Sequence, residues 1–375
     1  MNILYFSPIL WNDLKQRPQH IAEELSYEHK VYYIEPSISF INSVINKNNL
    51  YKYNKFNVNK NLEVIRPSGK YRLPKSLEIF DVLGINSSYE KIQLKKLIQK
   101  CDIIWLGSPI YYSLFKGDKD KKIVYDKMDD YVTLTNNKLL KKIIVKNEDE
   151  LIKKASIIFT TCNIFFQHIK NKNKNKHVFV VNNGVPIDFE KTIENANNEI
   201  VSDINKMKQN EKVIFGYIGT IDHWFDYEAI KRIINHDERF HVVLVGKNNI
   251  NELEHNRIHY YAPVSKNELP KIINVFDYCL YTFKINEFLD TIDPVKIYEY
   301  LSLNKKVIGC KSIEIEKFKN YMTLYINYDS LIQILKEHEF IKNPFNSDDE
   351  IKDFIQRNSW KSRIHFINEK LRKKY

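Results

Sequence analysis

Glycine is scarce in this chain: nine residues in 375, with none in the "SPILWND" stretch that closes the first apolar run. No G-x-G-x-x-G follows any apolar run, which removes the backbone cradle of a nicotinamide-binding oxidoreductase. So little glycine also excludes collagen-like and Gly-rich linker architectures, and there is no internal repeat of fixed period. The four cysteines, Cys101, Cys162, Cys279 and Cys310, show neither C-x-x-C nor paired Cys/His spacing. They read as free thiols of a reducing cytosol, packed within apolar runs and not as staples or zinc ligands. The eleven histidines are dispersed, without H-E-x-x-H, so no metal and no cofactor is expected. No stretch approaches the roughly 18 uncharged apolar residues of a membrane span, so a soluble or peripheral protein is expected. The opening "MNILYFSPILWNDLKQRPQ" has no basic leader and no small-residue cleavage site, and reads as a first strand, not a signal peptide.

What the chain does carry is aromatic bulk and positive charge. Twenty-four tyrosines and 21 phenylalanines, within a hydrophobic fraction of 43%, are enough for two cores. A length of 375 residues suits two domains. The net charge of +11 attracts phosphates, nucleic acid or an acidic bilayer. Lysines alternate with apolar residues at helical spacing in "NKLLKKIIVK" (137–146) and, less strongly, in "SYEKIQLKKLIQK" (88–100). Such segments suit an amphipathic helix on an anionic membrane, or an ordinary surface helix of a lysine-rich protein. On the membrane reading Leu139, Leu140, Ile143 and Ile144 dip into the interface, while Lys138, Lys141, Lys142 and Lys146 meet headgroups.

Apolar, β-branched and aromatic runs recur with helical patterns between them: "NILYFSP", "KVYYIEP", "LEVIRP", "DIIWLGSP", "KIVYD", "SIIFTTC" and "VFVVNNG". After a polar interruption at 185–210 the rhythm restarts with "KVIFGYIGT", "HVVLVGK", "RIHYYAPV", "YCLYTF", "KVIGC" and "TLYIN". Near-continuous apolar strands separated by helices indicate parallel sheets covered on both faces. The expected class is therefore α/β: two tandem Rossmann-like, doubly wound domains, residues 1–190 and 191–350. A last helical stretch, 351–375, is long enough if continuous to return to the first domain. Its opening acids, Asp348 and Asp349, read as capping residues. Ligands of such sheets sit at the carboxyl ends of the strands, so the loops after Pro8, Asp126, Gly219, Val264 and Phe283 should converge.

One stretch, "FLDTIDPVKIYEYLSLNKKVIG" (288–309), concentrates chemistry. Asp293 suits the N-cap of a helix, and Pro294 its first position. Lys296 and Glu299, three residues apart, share a face roughly 60° wide, while Val295, Tyr298 and Leu301 form an apolar row. A helix start with a lysine one turn in suits a phosphate, and Glu299 is placed to accept hydrogen bonds from hydroxyls. The plainer alternative is a Lys–Glu pair on an amphipathic surface helix.

In order and spacing, "VVNNGVPIDFE", "VIFGYIGTIDHWFD", "RIHYYAPVSKNELPKIINVFDYCLYTF" and "DPVKIYEYLSLNKKVIG" resemble the GT-B glycosyltransferases of the group 1, or family 4, type, and the likeness runs essentially end to end. "WNDLKQRPQHIAEEL" and "VYDKMDDY" resemble the bacterial branch that builds surface polysaccharides, including teichuronic-acid and capsule transferases. The resemblance implies two domains with a cleft between them. It implies a hexosyltransferase-type enzyme that moves a sugar from a nucleotide-diphosphate donor, a UDP-sugar, to a glycan or lipid-linked acceptor. It further implies no bound metal, and a cytoplasmic protein peripheral on the inner face of the membrane. Glu299 stands where the family holds the donor ribose. Thr291 replaces the family's second glutamate, which faces the donor sugar. Gly219 and Thr220 form the donor-side turn, where the family's usual arginine is missing, and Lys296 is the cation left for the diphosphate.

For the reacting centre, "YDKMDD" follows a strand where related enzymes place a polar catalytic or acceptor-contacting group. Asp129 or Asp130 is then the base of an inverting transferase, or an orienting carboxylate in a retaining one. The alternative is an Asp-rich turn that caps the next helix. Arg17, in "QRPQH", offers a fork of donors to a phosphate or an acidic sugar, or is a surface residue before the Pro18 helix start. The rival enzyme class is a sugar-nucleotide epimerase. The rival outside enzymes is a basic RNA- or membrane-binding protein, but the chain has no RNA-recognition signature and no nucleic-acid partner is expected.

Overall fold

A computed structural model describes residues 1–73, 85–116, 121–190 and 198–373. It divides into two compact units, residues 1–182 with 364–375, and residues 183–363. Part of the polar interruption, 191–197, lies outside the described residues.

The first unit is built on eight strands: β1 (Asn2–Phe6), β2 (Lys30–Ile34), β3 (Asn54–Asn59), β4 (Leu62–Arg66), β5 (Ile103–Leu106), β6 (Lys122–Lys127), β7 (Ile157–Thr160) and β8 (Val178–Val180). Their order is β3-β4-β2-β1-β5-β6-β7-β8, parallel throughout except for β3 against β4. The central strands are buried on both faces, so each reads as an unbroken apolar run. Tyr5 stacks between Tyr33 and Trp105, at 5.7 and 5.4 Å, and so ties β2, β1 and β5 together. The sequence reading has no counterpart for β3, "NKFNVN". It is a polar edge strand with a register shift between Asn57 and Asn59, and edges are where polar residues and lysine are expected.

The second unit holds β9 (Val213–Ile218), β10 (Phe240–Val245), β11 (Ile258–Tyr261), β12 (Tyr278–Tyr281), β13 (Lys306–Cys310) and β14 (Thr323–Tyr325). Their order is β11-β10-β9-β12-β13-β14, all parallel. Each sheet is doubly wound. The chain moves outward on one side of its first strand and then resumes on the other, which leaves a switch point between β1 and β5 and another between β9 and β12. At the second switch point β9 pairs with β12 only at Phe215 and Gly216. Further along, the Ile218 amide donates to the Tyr300 hydroxyl at 3.0 Å, so the strands part at their carboxyl ends.

Four expectations are corrected. The polar interruption contains a helix, Glu199–Gln209, capped by Asn198 and anchored by buried Ile200 and Ile204. The last helical stretch is not continuous. Asp348–Asn358 ends at the extended Ser359, which bridges to Val185, and Trp360–Arg372 begins anew. The helix Lys138–Lys154 exposes only part of the apolar face expected to meet a membrane: Ile144 is buried and the half-buried Leu140 and Ile143 line a cavity, while Leu139 stays exposed.

The fourth correction concerns Asp293, which caps nothing. Pro294 itself takes the N-cap position of the helix Val295–Ser302, with no side-chain cap, and this displaces Asp293 by one residue. The Asp293 carboxylate instead accepts from the Asn183 backbone, from the Tyr298 hydroxyl at 3.1 Å and from Lys317 at 2.5 Å. All four cysteines are buried and free. Among the described residues, no helix is long and apolar enough to cross a membrane.

Because Asp293 is the buried acceptor for a hydroxyl and an amide as well as for the ammonium of the partly exposed Lys317, Asp293→Ala should cost about 1–3 kcal/mol, the range for leaving buried donors unsatisfied. Urea unfolding followed by tyrosine and tryptophan fluorescence measures it, and a loss below about 1 kcal/mol would deny Asp293 this role.

Candidate functional site

At the carboxyl end of β9 the backbone is shaped for close approach. Gly219 has φ +148°, where residues with a Cβ are strained, and a Cβ there would lie 2.0 Å from Lys296 Cε. Gly246, also at φ +148°, ends β10, and its Cβ would stand 2.1 Å from the Gly219 carbonyl oxygen. The two glycines let neighbouring strand ends, and the lysine, lie against bare backbone.

Lys296 is half-buried on the first turn of the uncapped helix Val295–Ser302. Among the described residues its ammonium has no ion pair within 4.0 Å, and it lies over the Tyr217 ring, 5.7 Å from the centroid. Burial pulls its pKa below the usual lysine value, opposed by the charge of Glu299. Glu299, one turn deeper, is 8% exposed, and its nearest cation is Lys266 at 3.6 Å. Burial raises its carboxyl, with Lys266 and then Lys296 opposing. Two dehydrated charges of opposite sign, neither neutralised by the other, do not form a surface Lys–Glu pair. The helix dipole and the ammonium together favour an anion at the helix start, and the carboxylate below offers an acceptor to hydroxyls. Thr220 joins this group through its carbonyl, which accepts from the Tyr217 hydroxyl at 3.0 Å. Thr291 does not: its hydroxyl donates to the Phe288 carbonyl at 2.8 Å within its own turn.

In the first unit the structure separates the candidates. Arg17 is 4% exposed, and its fork is turned inward. Nη2 reaches Asp126 at 2.8 Å, Nε lies 3.1 and 3.2 Å from the two oxygens of the same carboxylate, and Nη1 donates to the Val181 carbonyl at 2.8 Å. This is a buried ion pair that joins the Arg17–Leu25 helix to the end of β6. Asp130 caps the turn that follows it, accepting from the Val132 amide at 3.1 Å and the Thr133 hydroxyl at 2.6 Å. Asp129 is the exposed carboxylate of the pair. The protein around it raises its carboxyl by desolvation, with Lys127 and Arg17 opposing and Asp126 and Asp130 adding to the rise.

Beside the β1–β5 switch point lies a cavity of about 140 Å³, lined among others by Pro8, Ser37, Ser108, Leu140, Ile143 and Asn147. Asn147 is 3% exposed, and among the described residues its amide has no hydrogen-bond partner. Asp126, Lys266, Tyr217 and Asn147 were not singled out from sequence. Asp126 alone left a trace, as an acid closing an apolar run. Among the described residues no three His, Cys, Asp or Glu side chains gather as metal ligands.

No family model matches the chain. TuaH of Bacillus subtilis (strain 168), whose name assigns it to teichuronic acid biosynthesis as a glycosyltransferase, is 23% identical over 270 residues. The match takes in 67% of this chain and 65% of TuaH, so less than two thirds of that relative is spanned. Among solved structures, a trehalose-6-phosphate structure from E. coli bound with UDP-2-fluoro glucose superposes with a TM-score of 0.73 at 10% identity, covering all of both chains. Anabaena HepE in complex with UDP gives 0.64 at 13% identity, covering 99% of each. The fold is GT-B, with two parallel-sheet Rossmann-like domains.

The shifts of Glu299 and Lys296 make a stability prediction with a definite sign. A raised carboxyl means that the folded chain holds that proton more tightly. The stabilisation is complete below the unfolded value of 4.5 and is lost as pH rises through the folded value. A lowered lysine does the reverse: its stabilisation is present above 10.5 and lost as pH falls through the folded value. At pH 7 both charges are therefore a cost, and Glu299→Gln should leave stability unchanged or raise it by about 1 kcal/mol. The gain should shrink as pH falls toward 4.5 in thermal melts. A large loss at neutral pH would mark Glu299 as a structural residue.

Proposed function

We propose that the chain is a glycosyltransferase of the group 1, or family 4, type, which moves a sugar from a UDP-sugar to a hydroxyl of a glycan or lipid-linked acceptor. The observation that carries the reading is Lys296: a partly buried ammonium with no ion pair among the described residues, laid against Gly219 at the start of an uncapped helix, with the buried Glu299 one turn below. A nucleotide diphosphate supplies what both lack. Its phosphates neutralise the ammonium and meet the helix start, and its ribose hydroxyls donate to Glu299. Glu299 in this role and Lys296 on the diphosphate are what the family resemblance implies, and the neighbours that bind UDP or a UDP-sugar support it. Cytoplasmic work on surface polysaccharide, in the teichuronic-acid branch, follows the likeness to TuaH.

In the reaction the acceptor oxygen bonds to the anomeric carbon, while the bond from that carbon to the diphosphate oxygen breaks and leaves its electron pair on the diphosphate. Negative charge therefore grows on the leaving group, and Lys296 and the helix start are fixed where it grows, which lowers the barrier more than it tightens ground-state binding. This assigns the diphosphate's charge to a lysine and not to a metal ion. The acceptor falls to the first unit, where Asp129 keeps an accessible carboxylate. Its raised pKa moves it toward the working range of a proton acceptor, or it steadies positive charge on the sugar if the anomeric centre is retained. Asn147 offers a free amide to the acceptor.

Calorimetry with UDP tests the donor half. Glu299→Ala should weaken binding by about 1–3 kcal/mol, and unchanged affinity would remove Glu299 from the site. Lys296→Ala should lower turnover more than stability, and wild-type turnover would return it to an incidental role. No stabilisation by any nucleotide or nucleotide sugar in a thermal-shift screen would overturn the reading as a whole.

The two aspartates should now separate. Asp129→Asn should keep UDP binding while lowering sugar transfer on the order of a hundredfold. Asp130→Ala should cost about 1 kcal/mol of stability, as loss of a cap does, and leave transfer near wild type. Equal transfer by wild type and the Asp129 variant would reject its catalytic role.

A further inference from the structure

At the amino ends of the second sheet lies a cleft of about 390 Å³, the size of a small-molecule site. It is lined by the starts of three neighbouring strands, Val213 of β9, Tyr278 of β12 and Lys306 of β13, and by Arg239 just before β10. All of its lining belongs to the second unit. The Gly219 turn and Lys296 stand at the other end of β9, roughly 20 Å away at the rise of a strand. The cleft is therefore not part of the site described above.

Four cations face two carboxylates there, Asp277 and Glu339. Two of the cations are neutralised: Lys208 meets Asp277 at 2.7 Å, and Arg239 meets Asp237 at 2.7 Å. The other two, Lys305 and Lys306, are consecutive and half-buried, and among the described residues neither has an ion pair within 4.0 Å. The Lys305 ammonium donates to the Asn274 carbonyl at 3.0 Å, and that of Lys306 lies 5.5 Å from the centre of the Tyr278 ring. Burial pulls Lys305 below the usual lysine value, with Lys208 and Lys306 adding to the fall and Cys279 and Asp277 opposing it. Beside them His338 is 8% exposed. Its Nδ1 must donate to the Leu335 carbonyl, at 2.8 Å, which leaves Nε2 without a partner among the described residues. Recessed like charges with no counter-ion are a cost to the fold that a bound anion removes.

We propose that this cleft binds a small phosphate monoester, its phosphate held by Lys305 and Lys306 and its hydroxyls set toward the carboxylates of Asp277 and Glu339. A dianion matches two unpaired ammoniums in charge, and a phosphate offers each of them an acceptor oxygen. The two carboxylates in the wall disfavour an extended polyanion such as nucleic acid, whose charge would run against them. The inference needs no nucleotide and stands apart from the transferase reading. The two sites nevertheless share one element. The helix Val295–Ser302 begins beside Lys296, and at its end the amides of Asn304 and Lys305 donate to the Leu301 and Tyr300 carbonyls at 2.9 and 3.1 Å.

The test is calorimetry of the full chain with sn-glycerol 3-phosphate, against glycerol and against potassium sulfate at matched ionic strength. Saturable binding is expected with the phosphate monoester only. Lys305→Met with Lys306→Met, which keeps both stems, should weaken it at least about tenfold, whereas Lys296→Ala should leave it unchanged. The double variant should bind UDP like the parent, which separates a failure here from a failure of the donor site. Competitive acetylation read by mass spectrometry needs no variant: the monoester should protect Lys305 and Lys306 severalfold and leave Lys296 as reactive as before. Absence of saturable binding, full binding by the double variant, or no protection of the two lysines overturns the proposal. So does equal binding of sulfate, which would mean an adventitious ion only, and so does loss of binding in Lys296→Ala, which would place the anion in the donor site.

Discussion

The chemistry of the second unit depends on the absence of a methyl group. If residue 219 carried a side chain, its first carbon would occupy the space of the Lys296 stem, and the lysine could not lie along the end of β9. Gly246 extends the same constraint, because the carbonyl of residue 219 fills the place where its Cβ would stand. Around this close approach the other features are arranged. The strands β9 and β12 pair only briefly, a tyrosine hydroxyl takes over a strand amide, and a helix begins without a cap. A chain with nine glycines has placed two of them where backbone must touch backbone or a cation.

Charge in the molecule falls into two kinds. Arg17 with Asp126 is a dehydrated pair, and the buried Asp293 carboxylate pairs with the partly exposed Lys317; both carboxylates fix how elements meet. Lys296 has no ion pair among the described residues and Glu299 is only loosely paired with Lys266 at 3.6 Å, and burial moves both pKa values toward the neutral form. In the proposed function a nucleotide diphosphate supplies the missing charge and hydroxyls. Asp129 differs again, accessible yet surrounded closely enough for its carboxyl to rise.

Much of this was legible in the order of residues. Parallel strands buried on both faces must be continuous apolar runs, so thirteen of the fourteen strands among the described residues could be read directly. The exception, β3, is an edge strand whose pairing is supplied by β4 and not by its own composition. The helix Glu199–Gln209 was hidden because only Ile200 and Ile204 mark its inner face. Lys296 and Glu299 were legible because a helix converts sequence spacing into a shared face. The pairing of Arg17 with Asp126 was not, since 109 residues separate them and only the sheet brings them together. The misreading of Asp293 shows the limit of local rules. The Asp-Pro signal was sound for a cap, but an asparagine and a lysine far away in sequence claimed the carboxylate.

The terminal helix, Trp360–Arg372, contributes its first residues to one unit and the rest to the other. Within the first unit Ile364, Ile367 and Leu371 are buried, Asn368 pairs with His29 at 3.0 Å, and the Leu371 carbonyl accepts from Lys122 at 3.0 Å. On the ribosome this means that the first sheet to be made is the last to be finished. Its strands emerge early, yet their covering helix arrives only after residues 183–363, a wait of roughly 10–40 s at ordinary elongation rates. Through that interval the surface that Ile364, Ile367 and Leu371 will cover stays open on the nascent chain.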